Sequence, residues 1–138
     1  MKPSIWFWVV GIFALFFEGF GVFQYWISVT DIEGAVEGMP PEQAAYYINL
    51  PAWRTAIFAL GVFSGLAAAI AFLLRRAISV PLFLFGIGMY TLGWVASLLD
   101  GGFGIMGAAL IIQGVVFLAI LTFFWWYARK QKADGVLV

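Results

Sequence analysis

Long apolar blocks separated by short polar breaks make up most of the chain. Four stretches, roughly 5 to 28, 52 to 74, 78 to 99 and 103 to 127, are nearly unbroken in apolar residues. About 20 helical residues cross ~30 Å of hydrocarbon, so each block predicts a transmembrane helix. The breaks carry turn chemistry. Asp31 through Pro41 is acidic and bears Gly and Pro, Arg75-Arg76 interrupts an apolar run, and Asp100-Gly101-Gly102 is a turn sequence. The expected fold is all-α: a polytopic membrane protein whose single domain, 1 to 138, is an antiparallel bundle of four transmembrane helices. The longest connection, 29 to 51, holds Pro40, Pro41 and Pro51, which bracket a short helix at about 41 to 49. Its Ala44, Tyr47 and Ile48 share a face, suited to lying on the membrane surface or capping the bundle.

Composition agrees with this pattern and removes most chemistry. The chain is 64% hydrophobic and 10% charged, with a mean hydropathy of +1.03, more apolar surface than a soluble fold of this length can hide. Lys2 precedes the first block as in a signal peptide, but the 24 residues from Ile5 to Ser28 exceed the ~7 to 15 of such a segment, so a retained span is expected. Seven basic residues balance seven acidic ones, which leaves no field to draw nucleic acid. There is no Cys and no His, so thiolate and imidazole nucleophiles, bases and metal ligands are all missing. No catalytic residue, metal or cofactor is expected, and the chain reads as a non-enzyme.

The placement of charge gives a direction. With alternating spans, Lys2, Arg75, Arg76, Arg129, Lys130 and Lys132 fall on one side, and Asp31, Glu33, Glu37, Glu42 and Asp100 on the other with Arg54. Basic flanks stay cytoplasmic, which predicts both termini inside a bacterial inner membrane. Trp6, Trp8, Trp125 and Trp126 then anchor the inner interface, and Trp26 and Trp53 the outer one. Arg54, near the outer end of the second span, is expected to snorkel outward.

Glu18 is the one ionisable residue deep in a span. An acidic residue there costs ~2.5 to 3.5 kcal/mol on insertion scales, so it needs a partner, a water cavity or a proton. Depth counting puts Ser64, Tyr90, Thr91 and Gln113 at its level, and a layer of these five could satisfy its own hydrogen bonds. The competing reading makes Glu18 a proton or substrate site. On the first span Glu18 belongs to a mostly small-residue face with Gly11, Ala14, Gly21 and Tyr25. Gly61 and Gly65, extended by Ala68 and Ala69, and Gly107 with Gly114 add further small-residue faces. Such faces pack helices, within one bundle or between chains. Pro81 in the first turn of the third span and the turn sequence Gly101-Gly102-Phe103-Gly104 need no functional explanation.

Several motifs are shared across nearly the whole chain: Pro51-Ala-Trp53, Gly61-Val-Phe-x-Gly65, Leu-Leu-Arg75-Arg76, Pro81-Leu-Phe, the Met-Pro-Pro-Glu-Gln loop and Trp126-Tyr127-Ala-Arg129. In these the chain resembles a group of small four-span bacterial inner-membrane proteins often labelled sugar transporters. The resemblance implies a four-span fold and a solute-carrier label. Members of that group tend to carry Asn where this chain has Glu18, which implies that a neutral amide can serve there. The small multidrug resistance transporters offer an analogy: four helices and a lone Glu in the first, without matching residues around Glu18. The expected partners are lipid and either further copies of the chain or a larger membrane complex. The leading expectation is a non-catalytic helix-packing or accessory component. The alternative is a dimeric or oligomeric carrier of a small sugar-like or cationic solute, coupled to protons through Glu18.

Overall fold

The structure is a computed structural model that describes residues 2–138. Its described residues form helices α1 (Ile5–Thr30), α2 (Ile32–Ala35), α3 (Pro41–Ile48), α4 (Ala52–Leu73), α5 (Ser79–Leu99), α6 (Gly102–Met106) and α7 (Ala108–Ala133). Helices α1, α4, α5 and α7 are long and apolar enough to cross a membrane, and the chain is a multi-pass membrane protein. Helix is the form that hydrocarbon demands, because each backbone N–H and C=O must find its partner within the segment.

The last span departs from the expected 103 to 127. Gly107 has φ 76° and ψ −161°, a conformation an α-helix cannot contain, so the chain makes one turn of α6, breaks, and starts the spanning helix at Ala108. That helix continues to Ala133, past the Trp125-Trp126 pair. Gly107 is therefore not a packing glycine: a Cβ there would meet no neighbour within 4 Å, and the residue serves the positive φ that L side chains resist.

Packing runs α1 beside α4, α4 beside α5, and α5 beside α7. The α1/α4 seam follows the small-residue face. Space for a Cβ at Gly11 is taken by Phe72 and Leu73, at Gly65 by Glu18, and at Gly21 by Val62. Tyr25 closes the ladder against Phe58 and Phe63, with ring centroids 6.1 and 5.5 Å away. Each step up α1 is matched by an equal step down α4, an antiparallel register. The α4/α5 seam is similar, with Gly61 against Met89, Gly86 against Ser64 and Gly65, and Gly93 against Ile57. Gly114 of α7 lies under the indole of Trp94. Rings close the circle between α7 and α1: Phe17 sits 5.4 Å from Phe117 and 5.7 Å from Phe124, and Phe13 sits 5.6 Å from Phe124.

The basic end holds a feature that hydropathy did not announce. Gly135, at φ 79°, reverses the chain after α7, and Val136 and Leu137 are 3% and 2% exposed in the apolar core with Phe7 and Phe72. Ala77 N–H donates to the Val138 carbonyl and Val138 N–H to that of Arg75, both at 3.0 Å, while Arg75 Nε donates to the Val136 carbonyl at 3.1 Å. Arg75 itself has φ 61°. It occupies the left-handed position that ends α4, where its N–H donates to Phe72 and that of Arg76 to Ala71. The ties to the tail compensate a backbone conformation that costs a non-glycine residue about 1 kcal/mol or more.

Of the expected anchors, Trp6, Trp8, Trp26, Trp53 and Trp126 are exposed at 41% or more, and Trp125 is half-buried. Arg129 lies 5.5 Å over the Trp125 ring and Lys130 5.7 Å over that of Trp126, so charge and ring share one band.

A methyl at Gly114 would overlap a rigid indole, whereas one at Gly88 meets nothing within 4 Å. Gly114→Ala should therefore lower bundle stability by about 1–3 kcal/mol through overpacking. Gly88→Ala should leave it unchanged or raise it by up to about 1 kcal/mol through helix propensity. Equilibrium unfolding in mixed micelles compares the two, and equal losses would contradict the α5/α7 packing described.

Candidate functional site

Two polar groupings stand out against the apolar bundle. The first is centred on Glu18. Position 18 falls on the same face of α1 as Gly11, Ala14 and Gly21, so the carboxyl is carried into the seam with α4 and is 5% exposed. It fits because Gly65 opposite has no side chain: a Cβ there would coincide with the carboxyl group. Oε1 is buried and, among the described residues, has no hydrogen-bond partner. Gly65 in turn backs onto Gly86 of α5, so three helices meet at this niche.

The expected layer of mutual hydrogen bonds around Glu18 does not form. Ser64 donates its hydroxyl to the Gly61 carbonyl of its own helix at 3.0 Å. Tyr90, half-buried, sets its ring 6.0 Å from Phe117, and Thr91 is half-buried on α5. Gln113 is exposed. The reason lies in depth and azimuth together: Glu18 is level with Gly65 and Gly86, whereas Gly114 meets Trp94, about 12 Å further along α5 at 1.5 Å per residue. Helix α7 turns Gly114, Leu121, Phe124 and Ala128 inward, and a residue next to Gly114 is rotated by about 100°. Counting from residue 103 puts Gln113 near mid-depth, but the spanning helix starts at Ala108.

The second grouping lies at the end opposite the basic residues, and sequence reasoning missed it. Arg54 does not snorkel away. With its side chain 9% exposed, it pairs through Nη1 with Asp100 Oδ2 at 2.6 Å. Its Nη2 donates to Ser97 Oγ at 2.7 Å and to the Gly93 carbonyl at 3.2 Å. Tyr46 of α3 donates toward the Asp100 carboxylate, 3.1 and 3.2 Å from its two oxygens, and lies 3.3 Å from Ser97 Oγ. Gly102 N–H donates to Asp100 Oδ1 at 2.9 Å. The short helix α3 is thereby pinned across the bundle end, with α6 beside it. An open cleft of about 610 Å³ adjoins this network, lined among others by Glu42, Tyr46, Asn49 and Asp100. A signal did exist in the sequence. Arg54 and Asp100 stand at comparable chain distances from the Arg75-Arg76 turn, so a hairpin of α4 and α5 brings the opposite charges together.

Tyr47, on the same short helix, has its phenol pushed above the usual value of about 10. Burial is the main cause, the neighbouring Tyr46 adds to it, and the Arg54 guanidinium opposes both.

Removing Arg54 takes the ion pair from Asp100 and a donor from Ser97, leaving the carboxylate to Tyr46 and Gly102. Arg54→Leu should cost about 1.5–3 kcal/mol, the range for hydrogen bonds to charged groups, and Ser97→Ala less. Thermal unfolding of the two variants in detergent ranks them, and an Arg54→Leu protein as stable as the parent would refute the network. Tyr47 gives a pH test. The fold holds its proton more tightly than the unfolded chain does. Its contribution is thus complete below pH 10 and is lost as pH rises through the elevated folded value. Tyr47→Phe should flatten the alkaline fall in stability, measured between about pH 9 and 12.

No family model, curated protein or solved structure matches the chain.

Proposed function

We propose that this chain is a non-catalytic component of a membrane assembly, a four-helix unit whose work is to pack against other membrane helices. The supporting observation is how the interior is used. Rings and small residues occupy it: Phe7 stacks on Phe72 at 4.3 Å, and Phe83 and Phe124 meet at 5.9 Å. The space framed by Val10, Ala14, Phe72, Phe83 and Phe124 does not admit a water molecule. One end carries the Arg54–Asp100 pair with α3, and the other carries the folded tail. The chemistry available is that of packing. In this reading the basic end faces the cytoplasm of a bacterial inner membrane, because six of the seven Lys and Arg residues flank spans on that side. The resemblance to small four-span bacterial proteins does not alter it, since the residues that carry that resemblance are packing and interface residues.

A second reading keeps one specific observation in its favour. Glu18 Oε1 is buried without a partner, and an unsatisfied carboxyl inside a span is expensive enough to suggest a role beyond packing. In this reading the chain forms an oligomeric carrier of a small solute, with Glu18 taking up and releasing a proton as α1 and α4 part.

Extraction in native nanodiscs followed by mass measurement tests the first reading. A particle larger than one chain is expected, and a lone monomer under all mild conditions would overturn it. Glu18→Gln tests the second. The neutral isostere should fold and assemble as the parent does. Loss of proton-linked uptake into liposomes by that folded variant would replace the packing reading with the carrier.

A further inference from the structure

Two glutamines lie in the membrane helices toward the end that carries α3, and the structure puts both on the outside of one seam. Phe17 of α1 touches Phe117 and Phe124 of α7. Gln24 follows Phe17 by two helical turns and so lies on the same side of α1. Gln113 precedes Phe117 by one turn and lies on nearly the same side of α7. Below, the rings close the α1/α7 seam. At the level above them, Gln24 and Gln113 stand on its two edges, and both are exposed. Around Gln113 the exposed residues are Ile112, at 61%, and Val115 and Val116, at 55% and 47%. Among the four spans, α7 has the smallest buried share.

We propose that this seam is the contact between two copies of the chain, centred on Gln113. The step rests on the assembly reading above and names its partner. An amide facing hydrocarbon gains by hydrogen-bonding across to another helix. Two copies inserted in the same orientation are related by an axis along the membrane normal, so a residue near that axis meets its own counterpart at its own depth. A glutamine suits this, since its amide donates and accepts at once and pairs with an identical amide without a second residue type. Gln24, on the facing edge at similar height, adds a second amide per copy to the same contact. A heterologous partner would instead need its own polar side chain at that depth, which a second copy supplies by symmetry.

The chain has no cysteine, so single-cysteine variants report one position each. Val116→Cys, one turn from Gln113 with the amide left in place, Leu60→Cys and Leu92→Cys, all exposed, are placed in the full chain in bilayers and exposed to an oxidant or a short bis-maleimide. Selective self-crosslinking at position 116 is expected. Crosslinking at none of the three, or equally at all three, overturns the proposal. An uncrosslinked measurement complements this: dilution of fluorescently labelled chains in liposomes should show Gln113→Leu dimerising about 3- to 20-fold more weakly than the parent, the range measured for single interhelical hydrogen bonds. Unchanged dimerisation also overturns the proposal. A native particle larger than one chain that fails to crosslink at position 116 sinks only this inference. A lone monomer sinks the assembly reading with it.

Discussion

How closely α4 approaches its two neighbours governs the rest of the bundle. In lipid the hydrophobic effect does not draw helices together, because the acyl chains are as apolar as the side chains; contact area and fit must do so. Gly65 meets that requirement on two sides, with Glu18 of α1 on one and Gly86 of α5 on the other. Gly61 and Gly21 repeat the device one turn away, against Met89 and Val62. Once these approaches are set, the antiparallel register of three helices is set as well. The charged ends then fall where they do as a consequence.

The two ends use different physics, and each suits its depth. Toward α3, at the edge of the hydrocarbon, the dielectric is low enough for the Arg54–Asp100 pair to matter and wet enough for one carboxylate to remain 37% exposed. The guanidinium is paired with Asp100 and also donates to Ser97 and the Gly93 carbonyl, which reduces the cost of burying its charge. At the basic end the closure is apolar instead. Val136 and Leu137 fold under the bundle, and backbone hydrogen bonds to Arg75 and Ala77 hold them there. Lys130 and Arg129 stay outside over Trp126 and Trp125.

The parts that could be read from the sequence were those that depend on position along a helix. Span lengths, the short helix at 41 to 48 and the inward face of α1 follow from apolar run length, proline placement and a spacing of three and four. Azimuth between different helices was hidden. Gln113 points away from the other polar residues, because which side of α7 faces inward is decided by Trp94 over Gly114 and by the rings of Phe117 and Phe124, and it stands nearer the α3 end than Glu18, because α7 starts only at Ala108. The break at Gly107 was hidden for a related reason. A glycine in an apolar run reads as a packing contact, and only the backbone reveals the positive φ. The tail was missed because two apolar residues after a basic stretch carry no periodicity from which to argue burial.

The polar residues of the spans occupy two opposite situations. Glu18 lies inside, where Gly65 leaves room for its carboxyl and, among the described residues, Oε1 has no hydrogen-bond partner. Gln113 and Gln24 lie outside, where hydrocarbon would leave theirs incomplete as well. An inward orphan calls for a proton or a small ligand, since a helix cannot enter a seam already closed by Phe72 and Val62. Outward amides call for a helix, since they stand on an open face. The two situations are independent, and an interface built on Gln113 can hold two bundles together whether or not the carboxyl inside each of them ever changes its protonation.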